Sequence, residues 1–339
     1  MNMNRIKVVL IGVGHDHAPA VYDCVINQDV FDVVGFGVPE IEKTAYNDRI
    51  KKYKKYIKYF DIEDLLNISD LDAAIIETEE QNLTKYSIMA IEKELNVHSD
   101  KPGGLNLSEF EIMIDLAKKT NKILHFGYMY RYNPTIIKLL EDVKNGEFGE
   151  IFSVEAHMSC LHTDEKREWL NRFPGGMLFF LGCHLIDLIL SIQGDPKEVI
   201  PLSKASNING VESQDIGMVV FKYDNGLSFA KSCASEIGGF MRRQLVVCGS
   251  KKTVEINPLE VLDGGGMQHS IIRSTTYQEA QKLNWWNSAE KIDSEMFNRY
   301  NDMMISFAQM VMGVRENKYS YDYELTLYKL LLKSCGIKI

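Results

Sequence analysis

Ile6-Lys7-Val8-Val9-Leu10-Ile11-Gly12-Val13-Gly14-His15-Asp16-His17-Ala18-Pro19-Ala20 is the stretch whose reading decides the fold. Residues 6–11 are a short aliphatic run that predicts a buried strand, and residues 18–27 carry the amphipathic pattern of a helix. Between them, Gly12-Val13-Gly14 places two residues without a Cβ where a strand turns into a helix. That context suits a phosphate-binding turn, because the first amides of the helix aim at an anion. Gly12, Val13, Gly14, His15 and Asp16 are therefore the candidate cofactor-binding turn, although His17 stands where GxGxxG has its third glycine.

Working outward, strands are expected at 31–36, 56–59, 72–77, 96–99 and 122–126, and helices at 61–67, 82–94 and 108–120. Asp61 has the character of an N-cap, and Ser108 with Glu111 has capping-box spacing. Strands alternating with helices imply a parallel sheet covered on both faces. Six such strands make a complete doubly wound dinucleotide-binding sheet, so residues 1–127 are expected to be an α/β Rossmann domain.

After Gly127 the pattern changes. Asn133-Pro134 supplies an N-cap and a first helical residue, Ile136, Ile137, Leu139, Leu140 and Val143 recur at helical spacing, and Gly146 stops the helix. Strand-like runs then dominate, at 151–158, 199–206, 215–223, 227–233, 241–248, 253–257 and 270–276, with turns at Asp224-Asn225-Gly226 and Cys248-Gly249-Ser250. Helices at 300–313 and 325–335 close the chain. Residues 128–339 are thus expected to form an α+β domain with a large, mostly antiparallel open sheet, its free face covered by helices or by another subunit in a homodimer or homotetramer. Trp285 and Trp286 suit either a cap over the substrate or a subunit contact.

Composition bounds the function. The 339 residues include 47 acidic and 38 basic side chains, a net charge of -9, which opposes binding to nucleic acid or anionic lipid. The basic, tyrosine-rich stretch 51–58 is accordingly read as a solvated edge. No apolar run is long enough to span a bilayer and no signal-peptide pattern is present, so a soluble, cytoplasmic protein is expected. Six cysteines without a CxxC pair argue against a disulfide framework or a thiolate zinc site.

Two further clusters carry chemistry. Ser99-Asp100-Lys101-Pro102-Gly103-Gly104 follows the 96–99 strand, at the carboxyl end where open parallel sheets bind ligands. A lysine there can touch both a nicotinamide and a substrate hydroxyl. Gly175-Gly176-Met177-Leu178-Phe179-Phe180-Leu181-Gly182-Cys183-His184-Leu185-Ile186-Asp187 leads a glycine pair into an apolar helix that carries His184 and Asp187 on one face. Asp187 can orient His184 for catalysis, or the two can be a buried core pair. His184 and Asp187 lack a third ligand of evident spacing, so no metal is expected. After the second strand no aspartate awaits the adenosine ribose: Val38 stands there, and Glu40 is the nearest acid. Nothing basic marks a 2′-phosphate site, which favours NAD over NADP.

With these residues in place, the sequence resembles the Gfo/Idh/MocA family of NAD(P)-dependent oxidoreductases. The resemblance rests on the GxG turn, Asp100-Lys101-Pro102 where the family has Glu-Lys-Pro, residues 127–134 (Gly-Tyr-Met-Tyr-Arg-Tyr-Asn-Pro), Gly149-Glu150-Ile151, the Gly-Gly to His-x-x-Asp segment and Ser334-Cys335-Gly336. It implies that Lys101, His184 and Asp187 are catalytic. Lys101 and His184 would share proton transfer at a secondary alcohol or ketone while hydride moves to or from a nicotinamide. Thr78, Glu79, Lys101 and Pro102 would join the turn and Glu40 at the cofactor, and Arg131 and His157 are candidate substrate contacts.

Three departures from the family pattern stand out: Phe180 where many members have an aspartate four residues before the histidine, Val38 in place of the ribose acid, and Thr78-Glu79 in place of Thr-Pro. Glu77, Glu79 and Glu80 add negative charge that Arg131 or Arg167 would have to offset for an anionic substrate. A neutral sugar- or polyol-like substrate is therefore expected. The alternatives within the resemblance are a retained-NAD enzyme that cleaves or epimerises glycosides, and a non-catalytic sensor of cofactor or sugar.

Overall fold

The computed structural model describes residues 5–263, 266–282 and 289–339, so Trp285 and Trp286 lie outside the described residues. The chain divides into two compact units: residues 1–129 with 300–325, and residues 130–299 with 326–339. The expected division after residue 127 falls beside the first of these boundaries. Residues 300–325 cluster with the first unit, a return that local patterning does not reveal.

The first unit alternates strand and helix as β1 (Ile6–Ile11), α1 (Ala18–Asn27), β2 (Phe31–Gly37), α2 (Glu40–Ala45), α3 (Asn47–Tyr53), α4 (Ile62–Leu66), β3 (Ala73–Ile76), α5 (Leu83–Glu92), β4 (Asn96–Ser99), α6 (Leu107–Thr120) and β5 (Leu124–Phe126). Its five strands are parallel, in the order β2-β1-β3-β4-β5. Val8 to Ile11 and Ala73 to Ile76 have no solvent exposure, as strands covered on both faces require. The strand expected at 56–59 is reduced to one parallel bridge between Tyr59 and Phe36, flanked by Phe36 N–H on the Lys58 carbonyl and Phe60 N–H on the Phe36 carbonyl. Lys54 and Lys58 lie over the rings of Tyr59 and Phe60 and keep this outer edge charged. α6 is capped by Asn106, whose side chain accepts the Glu109 amide, rather than by Ser108.

The second unit begins with α7 (Pro134–Lys144), capped as expected by Asn133, whose side chain accepts the Thr135 amide. It continues with β6 (Ile151–Ser159), α8 (Asp164–Trp169), α9 (Met177–Phe180), α10 (Cys183–Gln193), β7 (Glu198–Pro201), β8 (Ile216–Tyr223), β9 (Gly226–Cys233), β10 (Gln244–Gly249) and β11 (Lys252–Ile256), then β12 (Val261–Leu262), β13 (Met267–His269), β14 (Ile271–Thr276), α11 (Tyr277–Lys282), β15 (Ile292–Asp293) and β16 (Phe297–Asn298). Eight strands form one sheet in the order β15-β14-β11-β10-β6-β9-β8-β7, antiparallel throughout except for the β6–β9 pair. The β8–β9 hairpin turns over Asp224-Asn225 alone, with Gly226 already paired to Tyr223. α10 is buried along nearly its whole length and packs on β6 and β9, which accounts for its near-continuous apolar sequence. The closing helices are α12 (Asn301–Val311) and α13 (Tyr321–Ser334).

Candidate functional site

The turn after β1 is shaped by its glycines. Gly12 has φ +88°, and a Cβ on it would stand 2.6 Å from the Thr78 main chain. A Cβ on Gly14 would stand 2.7 Å from the Glu79 amide nitrogen. The turn can therefore lie directly on the loop that follows β3. α1 starts at Ala18, with no side chain capping its N-terminus. Asp16 is exposed within the turn, and Arg49 Nη1 donates to the carbonyls of Val13 at 2.6 Å and His15 at 2.9 Å.

The acid at this turn is not the one the sequence singles out. Glu40 is the first residue of α2, its side chain 87% exposed and paired with Lys43. Glu42 instead points back into the protein: Oε2 accepts the Val13 amide at 2.9 Å and Oε1 the Glu79 amide at 2.7 Å. Burial, partly offset by these amides, raises its proton affinity to about 7. The carboxylate reaches the turn from a helix beyond Pro39, not from the strand end where Val38 is buried, so no strand-end motif marks it. A glycine turn without Cβ atoms and an uncapped helix N-terminus together fit a dinucleotide, and the buried Glu42 carboxylate holds that turn through the Val13 and Glu79 amides. Thr78 is buried with its hydroxyl on the Glu79 carbonyl, and the Glu79 carboxylate accepts from Tyr46 Oη at 2.8 Å and Gln81 Nε2 at 2.9 Å.

At the carboxyl ends of β1, β3 and β4 the chain gathers a polar cluster that the sequence did not reveal. His15, Glu77, Asp100 and Lys101 are buried, and His17 keeps 15% of its side chain exposed. His15 Nδ1 lies 3.2 Å from Asp100 Oδ2, and His17 Nδ1 lies 3.1 Å from the same carboxylate. His15 Nε2 lies 3.2 Å from the Lys101 carbonyl and 3.6 Å from Glu80 Oε1. The Lys101 amide donates to Asp100 Oδ1 at 2.6 Å, and Pro102 follows, also buried. Burial opposes the charged form of Asp100, yet the two imidazoles outweigh it and hold the carboxyl well below its usual range. Burial, and then the neighbouring Asp100, push Glu77 well above that range. Glu77 and Glu80 therefore face inward, onto His98 and His15, rather than outward to a ligand.

In the second unit, His184 opens α10 and is buried, its ring edge-on to Tyr130 at 5.3 Å. Asp187, one turn on, is bound bidentately by Arg131, through Nε at 2.9 Å and Nη2 at 2.8 Å. Arg131 is thus placed as a structural ion-pair partner rather than as an open substrate contact. His157 is also buried, with Nε2 on Ser159 Oγ at 2.8 Å and Glu236 Oε2 at 3.1 Å. Phe180 stacks on Phe173 and meets Trp169 edge-on, so the position carries packing where a polar side chain would carry hydrogen bonds.

The family comparisons cover both units. Residues 6–128 match the oxidoreductase family's NAD-binding Rossmann fold, and residues 136–255 match the GFO/IDH/MocA C-terminal domain. Among curated relatives, the chain is 23% identical over 257 residues to a myo-inositol 2-dehydrogenase of Thermotoga maritima, covering 73% of each protein. It is 24% identical over 206 residues to a D-glucoside 3-dehydrogenase of Escherichia coli, covering 58% of this chain and 56% of that one. The aligned stretch is about half the length of the first curated relatives it matches, 46% and 56% of two of them. A 3-ketoreductase of Actinomadura kijaniata, solved with TDP-benzene and NADP, shares the fold with a TM-score of 0.76 at 15% identity, over 98% of this chain and 96% of that one. Among the described residues no helix is long and apolar enough to cross a membrane. With both of its domains matched in order, the chain belongs to the Gfo/Idh/MocA family of oxidoreductases.

Proposed function

We propose that this chain is an NAD-dependent oxidoreductase interconverting a secondary alcohol and a ketone on a neutral sugar- or polyol-like substrate. The observation that carries the reading is Lys101, buried at the carboxyl end of β4 in a domain of the family's NAD-binding fold. When bound, a nicotinamide supplies or accepts the hydride. In this proposal the Lys101 ammonium stabilises developing alkoxide charge, and His184, on the family resemblance, acts as the proton-transfer imidazole. Asp187, bound to Arg131, fixes the first turn of α10 and so positions His184.

NAD is preferred over NADP because the Glu42 carboxylate suits a ribose diol and repels a 2′-phosphate. A neutral substrate is supported by the arginines: Arg131 is engaged by Asp187, and Arg167 by Asp215 and Asp164. The names of the relatives, a glucoside dehydrogenase and an inositol dehydrogenase, point to the same substrate class. Assembly through the large second-unit sheet is part of the same proposal.

Titration with NAD, NADH, NADP and NADPH, followed by a polyol and sugar screen with the tightest binder, tests it. Saturable NAD binding and substrate-dependent change in nicotinamide absorbance are expected. Failure of all four dinucleotides to bind, or binding without turnover across the screen, overturns the reading.

A further inference from the structure

We propose that His15, His17 and Asp100 form a binding site for a divalent transition-metal cation within the first unit, with the Glu77 carboxylate as a fourth donor. The inference is independent of hydride transfer and of the substrate.

The topology makes the site. The loop after β1 carries the two histidines, Glu77 follows β3 and Asp100 follows β4, and these three strands are neighbours in the sheet. One donor atom from each of His15, His17 and Asp100 lies within 4.8 Å of the others, a spread that a single small cation can draw together.

Three observations point to a ligand rather than to packing. Glu77 has no solvent exposure, and neither carboxylate oxygen has a hydrogen-bond partner among the described residues. Its Oε2 faces the cluster, 3.9 Å from His15 Nδ1. Burial beside a second carboxyl holds Glu77 toward its neutral acid, and a dication between Glu77 and Asp100 would displace that proton and take the carboxylate as a ligand.

The His15 ring is also oriented as a ligand is. Its Nε2 lies on the Lys101 carbonyl, which leaves Nδ1 turned toward Asp100 and the His17 amide. An outer nitrogen tied to a main-chain carbonyl is the usual support of a metal-bound imidazole. A cation on Nδ1 would replace the 3.2 Å contact from the His17 amide.

The donor set selects the class of ion. Imidazole nitrogens with carboxylate oxygens suit Zn²⁺, Co²⁺, Fe²⁺ or Mn²⁺, whereas Ca²⁺ and Mg²⁺ favour all-oxygen sets and Cu⁺ favours sulfur. His17, partly exposed, is the side from which the ion enters. A bound dication would also reduce the negative potential of Asp100 beside the glycine turn.

The test uses full-length protein stripped with a chelator and titrated with Co²⁺, then Zn²⁺, with no dinucleotide present. One Co²⁺ per chain is expected, with visible d–d absorption that Zn²⁺ abolishes. His17→Ala and Asp100→Asn are expected to weaken binding by on the order of 100-fold or more, as loss of a direct ligand should exceed the loss seen for outer-shell partners. Because Asp100→Asn removes the counter-charge of His15, unchanged far-ultraviolet circular dichroism of the His17→Ala protein serves as the folding control. A cobalt-edge anomalous map of wild-type crystals locates the ion without any substitution, and a peak between His15, His17 and Asp100 is expected. No saturable Co²⁺ binding, equal binding by folded His17→Ala protein, or a peak elsewhere overturns the proposal. Since dinucleotide is absent throughout, this outcome stands apart from the fate of the NAD reading.

Discussion

Glu42 accepts the main-chain amide of Val13 at 2.9 Å, so an acid from the helix after β2 sits on the glycine turn after β1. A ribose diol bound there would hydrogen-bond to this carboxylate. Glu42→Ala is expected to weaken NAD binding on the order of 10- to 100-fold, the equivalent of one or two lost hydrogen bonds to a charged group. Calorimetric titration measures this, and unchanged affinity would remove Glu42 from the cofactor site.

The same group sets a pH dependence of stability. Its proton affinity in the fold, about 7, lies above the ordinary carboxylate value of 4.5. The folded state thus prefers the protonated acid, and its contribution is complete below about pH 4.5 and lost as pH rises through about 7. Over that window wild type should lose about 2 to 4 kcal/mol relative to Glu42→Gln. Denaturant unfolding of both proteins at several pH values measures the difference. Parallel curves would refute it.

Asp187→Ala removes the carboxylate that binds the buried Arg131 guanidinium bidentately. Breaking such a buried pair by removing one partner costs about 3 to 5 kcal/mol, whereas replacing both partners with apolar residues of similar volume costs much less. Urea unfolding of Asp187→Ala and of the double variant Arg131→Met, Asp187→Leu should show that order. A single variant as stable as wild type would contradict the ion pair's role in holding α10.

The elements that decide the fold were legible because their signals are local. β1, α1 and β4 occupy residues 6–11, 18–27 and 96–99, as their local patterns predict, and Asn133-Pro134 caps α7 as its chemistry dictates. The 56–59 strand was misplaced because its lysines and tyrosines suit an exposed edge, and one bridge is all the sheet takes from it. Glu42 escaped notice because its approach to Val13 depends on how α2 folds back, which strand-end spacing does not encode. The convergence of His15, His17, Glu77 and Asp100 depends on β1, β3 and β4 lying side by side, a relation between residues up to 85 positions apart.

Gly12 gives a sharper local test. With φ +88° and the Thr78 main chain 2.6 Å from an added Cβ, Gly12→Ala must distort the turn. A loss on the order of 2 kcal/mol or more is expected from strain and overlap together. Thermal unfolding reads it, and an unaltered melting temperature would show that the turn has room to spare.

Hydride transfer assisted by Lys101 and by His184 is the proposal on which the functional reading rests. Its most direct test is the rate of nicotinamide absorbance change with NAD and the substrate found by screening, measured for wild type, Lys101→Ala and His184→Ala. Turnover is expected in wild type, with its loss in both variants and NAD affinity within a few-fold of wild type in His184→Ala. Wild-type rates in both variants would contradict it.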